Sequence, residues 1–174
     1  MDAMLDTSRR LLQARGWDQP NGFAVVTEAV WWVTMVDATV VRYQPGDYNR
    51  TLSAQEPTWR QVIEDTLAGL RFVRNRMRSE AGHDDFIQAA PGPKTAAVHV
   101  AAWKWKPFAA PALSSLPARG QEWEMARYRA YQAQLAGHSV GDTFTDATDF
   151  LQLVCRGGLA QPARTPRPSA GSGR

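Results

Sequence analysis

The chain has 174 residues, 44% of them apolar, including seven Trp and six Phe, which suits one domain of ordinary size with a core of large side chains and excludes wholesale disorder. Its net charge of +3 comes from the C-terminal end, where Arg156, Arg164, Arg167 and Arg174 carry +4 and leave 16 basic against 17 acidic residues elsewhere. Global charge therefore gives no reason to expect a polyanionic partner for the folded part; that argument needs a local cluster.

Taken in chain order, the periodicity predicts a mainly α fold, a five-helix bundle with an extended or β-hairpin excursion between helices three and four. Helix one is expected over about residues 4–15, followed by a turn at Asp18-Gln19-Pro20-Asn21-Gly22. Helix two, about residues 23–43, is the most apolar element and so belongs at the centre. Glu28 and Asp37 interrupt it, which a membrane span of that length seldom carries, and Met1 to Asp6 is no signal region; the expectation is a cytoplasmic chain with no membrane partner. Gln44-Pro45-Gly46-Asp47 reads as its terminating turn, and residues 48–55 as a polar connection.

Glu56-Pro57 opens helix three with a proline in the first turn, where its missing N–H costs little. This helix is expected to run to about Glu80, with Trp59, Val62, Ile63, Thr66, Leu67, Leu70, Val73 and Met77 on its buried side. From Ala89 to Pro117 the chain is proline-rich without helical period, yet Val98-His99-Val100 and Trp103-Lys104-Trp105-Lys106 alternate like short strands. Helix four covers about residues 121–135. Helix five starts at Ser139, where Ser139-Val140-Gly141-Asp142 resembles a capping box, and carries the stripe Val140, Phe144, Ala147, Leu151 and Val154. Cys155, the single cysteine, follows an apolar run and reads as a small buried side chain rather than a nucleophile. The domain is placed at residues 1–158, and residues 159–174 form a disordered basic tail poor in large apolar side chains.

Chemistry concentrates on helix three. At 100° per residue, Arg71, Arg74, Asn75 and Arg78 share one strip beside the buried stripe. Like charges at that spacing repel, so the strip needs partners, or it is a solvated face. On helix two, Asp37 projects among Val26, Ala29, Val33, Val36 and Val40, and a buried carboxylate must be paired or neutral. The expected pair is Asp37 with Arg74. The other side of helix two carries Trp31, Trp32 and Met35, which implies a cover: either Trp103 and Trp105 or a second copy in a homodimer. His83, His99 and His138 are scattered, no metal-ligand spacing or cofactor motif is present, and Gly82-His83-Asp84-Asp85 offers at most a weak cation site.

The run Gly69-Leu70-Arg71-Phe72-Val73-Arg74-Asn75-Arg76 resembles the helix of HEPN-type proteins, small helical bundles in which an Arg, usually followed by Asn or another polar residue, precedes a His with four to six residues between them. Many of these are metal-independent ribonucleases of toxin and phage-defence systems, active as dimers. The chain at large resembles proteins of high-GC bacteria, in keeping with 17 Arg against 3 Lys. Arg74-Asn75 matches the Arg-Asn step, but Ser79, Glu80 and Ala81 stand where its His would fall; Arg78-Ser79 restores the spacing to His83. The resemblance implies an RNA-directed protein with no cofactor. His83 would move protons while a 2'-hydroxyl attacks the adjacent phosphate, Arg78 and Arg74 would stabilise the developing charge, and Arg71 and Asn75 would bind. A displaced His fits equally well with a noncatalytic member, a helical protein-binding module.

Overall fold

The computed structural model describes residues 1–13, 19–77, 86–89, 103–107 and 109–157. Among these, six helices and a two-stranded sheet follow in the order α1 (Asp2–Gln13), α2 (Gln19–Tyr43), α3 (Pro45–Ser53), α4 (Pro57–Met77), β1 (Ile87–Ala89), β2 (Trp103–Trp105), α5 (Ala118–Gln134) and α6 (Val140–Cys155). The mainly helical expectation holds, with one helix more than the five predicted. Residues 159–174, expected to form a disordered tail, lie outside the described residues.

The additional helix is α3, in the stretch expected to be a turn and a polar connection. Pro45 stands in its first turn, Asp47 sits at the positive end of its dipole, and Thr51 and Leu52 are buried. The proline that ends α2 thus also starts α3, across the single residue Gln44. A similar correction applies at Asp18 to Gly22, where the helix has already begun at Gln19 because Pro20 falls within its first turn. At the head of α4, both oxygens of Glu56 cap the helix, accepting from the Thr58 and Trp59 amides at 3.0 and 3.1 Å. Those bonds, the Thr58 amide first, hold the Glu56 carboxyl below its ordinary range.

One continuous apolar core joins all six helices and both strands. Helix α2 packs on α1, α3, α4 and α6, burying Val26, Ala29, Val30, Val33 and Val40; its segment Gly22–Tyr43 is also long and apolar enough to cross a membrane, judged on length and composition alone. Helix α4 lies between α2 and α5. Its close approach to α5 depends on Gly69, where a Cβ would stand 2.8 Å from Leu135 Cδ1 and 3.2 Å from Tyr131 Cα. Phe72, on the same side, packs against the rings of Tyr128 and Tyr131 at 5.6 and 5.4 Å. The stripe predicted for α6 is buried throughout, and Ser139 caps the helix by accepting from the Asp142 amide at 3.2 Å.

The strand at Trp103–Trp105 forms as expected, but its partner is Ile87–Ala89, antiparallel, with Ile87 opposite Trp105 and Ala89 opposite Trp103. Val98, His99 and Val100 lie outside the described residues. Strand β2 is clamped on its far side by the α5–α6 turn: the Trp105 amide donates to the His138 carbonyl at 3.0 Å, and the Gly137 amide to the Trp105 carbonyl at 2.8 Å. That turn requires φ +78° at Gly137, a left-handed conformation natural to glycine. Trp105 is fully buried and its indole N–H donates to Thr143 Oγ1 at 2.9 Å. Trp103 closes on Gly22 so tightly that a Cβ there would overlap the indole ring. The two tryptophans therefore cover the start of α2 and the core beside α6, and leave Trp31 and Met35 exposed.

Candidate functional site

The polar strip of α4 and the buried carboxylate of α2 do meet, and the residues that join them redraw the expected pairing. Asp37 is fully buried, on the inner side of α2 with Val33 and Val40. Arg71 Nε donates to Asp37 Oδ2 at 2.7 Å, and Arg71 Nη2 makes a second, short contact to the same oxygen. Arg74, the partner expected from the projection, acts on Asp37 as a further positive charge, the smallest of the effects that favour its ionised form. A helical wheel gives direction around the axis but not the level at which two helices cross, and the direct bonds come from Arg71, three residues earlier.

The third member is Tyr48 of α3, whose hydroxyl donates to Asp37 Oδ1 at 3.4 Å while its ring meets Phe150 of α6 edge-on at 5.3 Å. The polar composition of residues 48–55, which favours a connection, hides it in the sequence. The signal was present: Pro45 in a first turn, then Tyr48, Thr51 and Leu52 at i, i+3 and i+4. Burial lifts the Asp37 carboxyl above its ordinary value of 3.8, and Arg71 first, then Tyr48 and Arg74, draw it back. Burial likewise pushes the Tyr48 hydroxyl up, with Asp37 adding to the effect, so it stays a proton donor. The layer ties α2, α3 and α4 together by charge-assisted bonds to one carboxylate.

Farther along the strip the chain turns to α5. Asn75 Nδ2 donates to Glu124 Oε2 at 3.1 Å, and Arg127 reaches the same oxygen at 3.2 Å. Arg71 and Asn75, the two residues expected to bind, are thus both engaged by carboxylates from neighbouring helices. Arg78 and His83, to which the resemblance gives the proton transfer and charge stabilisation, lie outside the described residues, as do His99 and the Gly82 to Asp85 segment. His138 is exposed, its Nδ1 2.6 Å from the Gln134 carbonyl oxygen. Cys155 is exposed rather than buried, because it is the last residue of α6 and falls beyond the end of the buried stripe. Partial burial still pushes its thiol up, which leaves little thiolate for chemistry. Among the described residues, no group of three or more His, Cys, Asp or Glu converges as a metal site would require.

Fold and polar layer together define a mainly helical protein braced by a buried carboxylate on one helix that accepts bonds from two others. Compared with known proteins, the chain finds no significant match among family models, curated proteins or solved structures.

Proposed function

We propose that the chain is a noncatalytic helical module that binds a protein partner through the outward face of α2. The observation that carries this reading is how the arginine strip is used. Arg71 is bound to a fully buried carboxylate and Asn75 to a carboxylate of α5, so an RNA phosphate would have to displace carboxylates already held inside the fold. Meanwhile Trp31 and Met35 expose 47% and 38% of their surface on the opposite side of α2, and large apolar side chains grouped in this way are what partner surfaces are made of.

The test is a cleavage assay on single-stranded and structured RNA with EDTA present, using the full chain beside Arg78→Ala and His83→Ala. A binding module gives no cleavage that depends on either residue. Cleavage by the wild-type chain, abolished by His83→Ala and by Arg78→Ala with the thermal transition unchanged, overturns the proposal in favour of a metal-independent ribonuclease.

A further inference from the structure

Helix α2 carries two strips on opposite sides. The inner one, Gly22, Val26, Ala29, Val33, Asp37 and Val40, is buried in the fold. The outer one is Ala24, Glu28, Trp31, Met35, Ala38 and Arg42, with steps of four, three, four, three and four residues. That is the alternation that keeps a seam facing another helix. All of these are exposed except Glu28, which is partly covered by α1 through bonds from Arg10 at 2.7 Å and Thr7 at 3.1 Å. The seam is apolar in the middle and charged near both ends, with opposite signs.

We infer that the occupant of this seam is the same seam of a second copy, the two α2 helices packing antiparallel about a two-fold axis near Met35. This rests on the reading of the α2 face as a docking surface and names its partner. The charges select the arrangement. A parallel pair would set Glu28 against Glu28, Arg42 against Arg42 and Trp31 against Trp31. An antiparallel pair crossing near Met35 brings each Glu28 within about one helical turn of the partner's Arg42, and does so twice because a two-fold contact repeats itself. It also lays each Trp31 beside the partner's Met35 and Ala38, a large ring against a flexible and a small side chain. The surroundings agree in sign. Asp6 is paired with the same Arg10 at 3.2 Å, so Asp6, Arg10 and Glu28 together carry one net negative charge where the partner's Arg42 arrives. Glu28 keeps 40% of its side chain exposed, and Arg42 is held over the ring of Tyr43 at 5.4 Å, near the C-terminal end of the helix.

The experiment is sedimentation equilibrium of the full chain across a wide micromolar range, with thermal unfolding of each variant as a check on folding. The wild type should approach twice the 19.3 kDa chain mass. Met35→Glu should leave a folded monomer. Glu28→Arg and Arg42→Glu, each alone, place like charges together at both ends of the pair and should weaken dimerisation by at least about tenfold. Mixing these two variants restores opposite charges at both ends, and the mixture should dimerise as a heterodimer when neither parent does.

A wild-type chain that stays at 19.3 kDa throughout overturns the inference, whether the face is bare or covered by another segment of the same chain. So does a dimer that Met35→Glu leaves intact, or one that forms no heterodimer from the two charge variants. These outcomes are independent of RNA cleavage, so a monomer that leaves RNA intact removes the dimer while sparing the noncatalytic reading. A His83-dependent nuclease that still dimerises does the reverse.

Discussion

Replacing Arg71 by Met keeps the bulk of the side chain on α4 and removes both of its bonds to Asp37. The carboxylate left behind has no exposed surface, and its remaining described hydrogen bond is the 3.4 Å contact from Tyr48, close to the limit for such a bond. Stranding a buried charge costs about 3–5 kcal/mol. For a domain of this length each kcal/mol moves the melting temperature by roughly 2–4 °C, so a fall of roughly 6–20 °C is expected at neutral pH. The reverse deletion is milder in its electrostatic part, because Arg71 keeps 31% of its side chain exposed and can turn its head to water; Asp37→Asn should cost about 1–3 kcal/mol.

The pH dependence gives a second reading of the same pair. The carboxyl of Asp37 is already raised by burial, and losing Arg71 removes the largest effect that opposes the rise. A folded value above the unfolded one means that the native state holds more protons between the two. Stability is then fully present below the ordinary value of 3.8 and is lost as pH rises through the folded value. The gap between wild type and Arg71→Met should therefore be wide at neutral pH and narrow as the solution is acidified, and an Asp37→Asn background should abolish that change. Denaturant melts followed by circular dichroism over this pH range measure it. A variant within about 0.5 kcal/mol of wild type at neutral pH, or a loss that does not vary with pH, would refute the account of Asp37 as a buried, Arg-supported carboxylate.

Two packing predictions accompany it. Gly69→Ala adds the residue that isolated helices prefer, a gain of about 1 kcal/mol, but its Cβ meets the Tyr131 backbone at 3.2 Å as well as the Leu135 side chain. Overpacking of about 1–3 kcal/mol should win, and a higher melting temperature would show that α5 can move away from α4 freely. Thr143→Val removes the acceptor of the fully buried Trp105 indole with almost no change in volume, for an expected loss of about 1–3 kcal/mol; near-edge ultraviolet circular dichroism should report the disturbed tryptophan, and an unchanged melt would mean that the indole finds another acceptor.

Much of the helical skeleton is legible because it rests on local rules. The buried stripe of α6, that of α4 except for the partly buried Val62 and Met77, the Ser139 cap, the proline at the head of α4 and Gly137 after α5 depend on residues a few positions apart, and each appears in the structure. Local rules were also available for α3, where a proline read as a stop serves as a start. The position of Asp37 on the inner side of α2 follows from the same periodicity. Its direct partner does not: whether Arg71 or Arg74 reaches the carboxylate depends on the height at which α4 crosses α2, and Tyr48 enters only because α3 folds back against α6. The pairing of Ile87–Ala89 with Trp103–Trp105 and the fit of Trp103 into the space left by Gly22 likewise join residues far apart in the chain.

Hydrophobic spacing and capping act within single elements, and they are enough to place five of the six described helices and most of the side chains that the central helices bury. Tertiary structure decided who meets whom. It gave Asp37 to Arg71 and Tyr48, turned Asn75 toward Glu124, drew both Trp103 and Trp105 into the core, and left Trp31 and Met35 facing outward. Those outcomes depend on the relative height and crossing of helices, which periodicity along one helix does not encode.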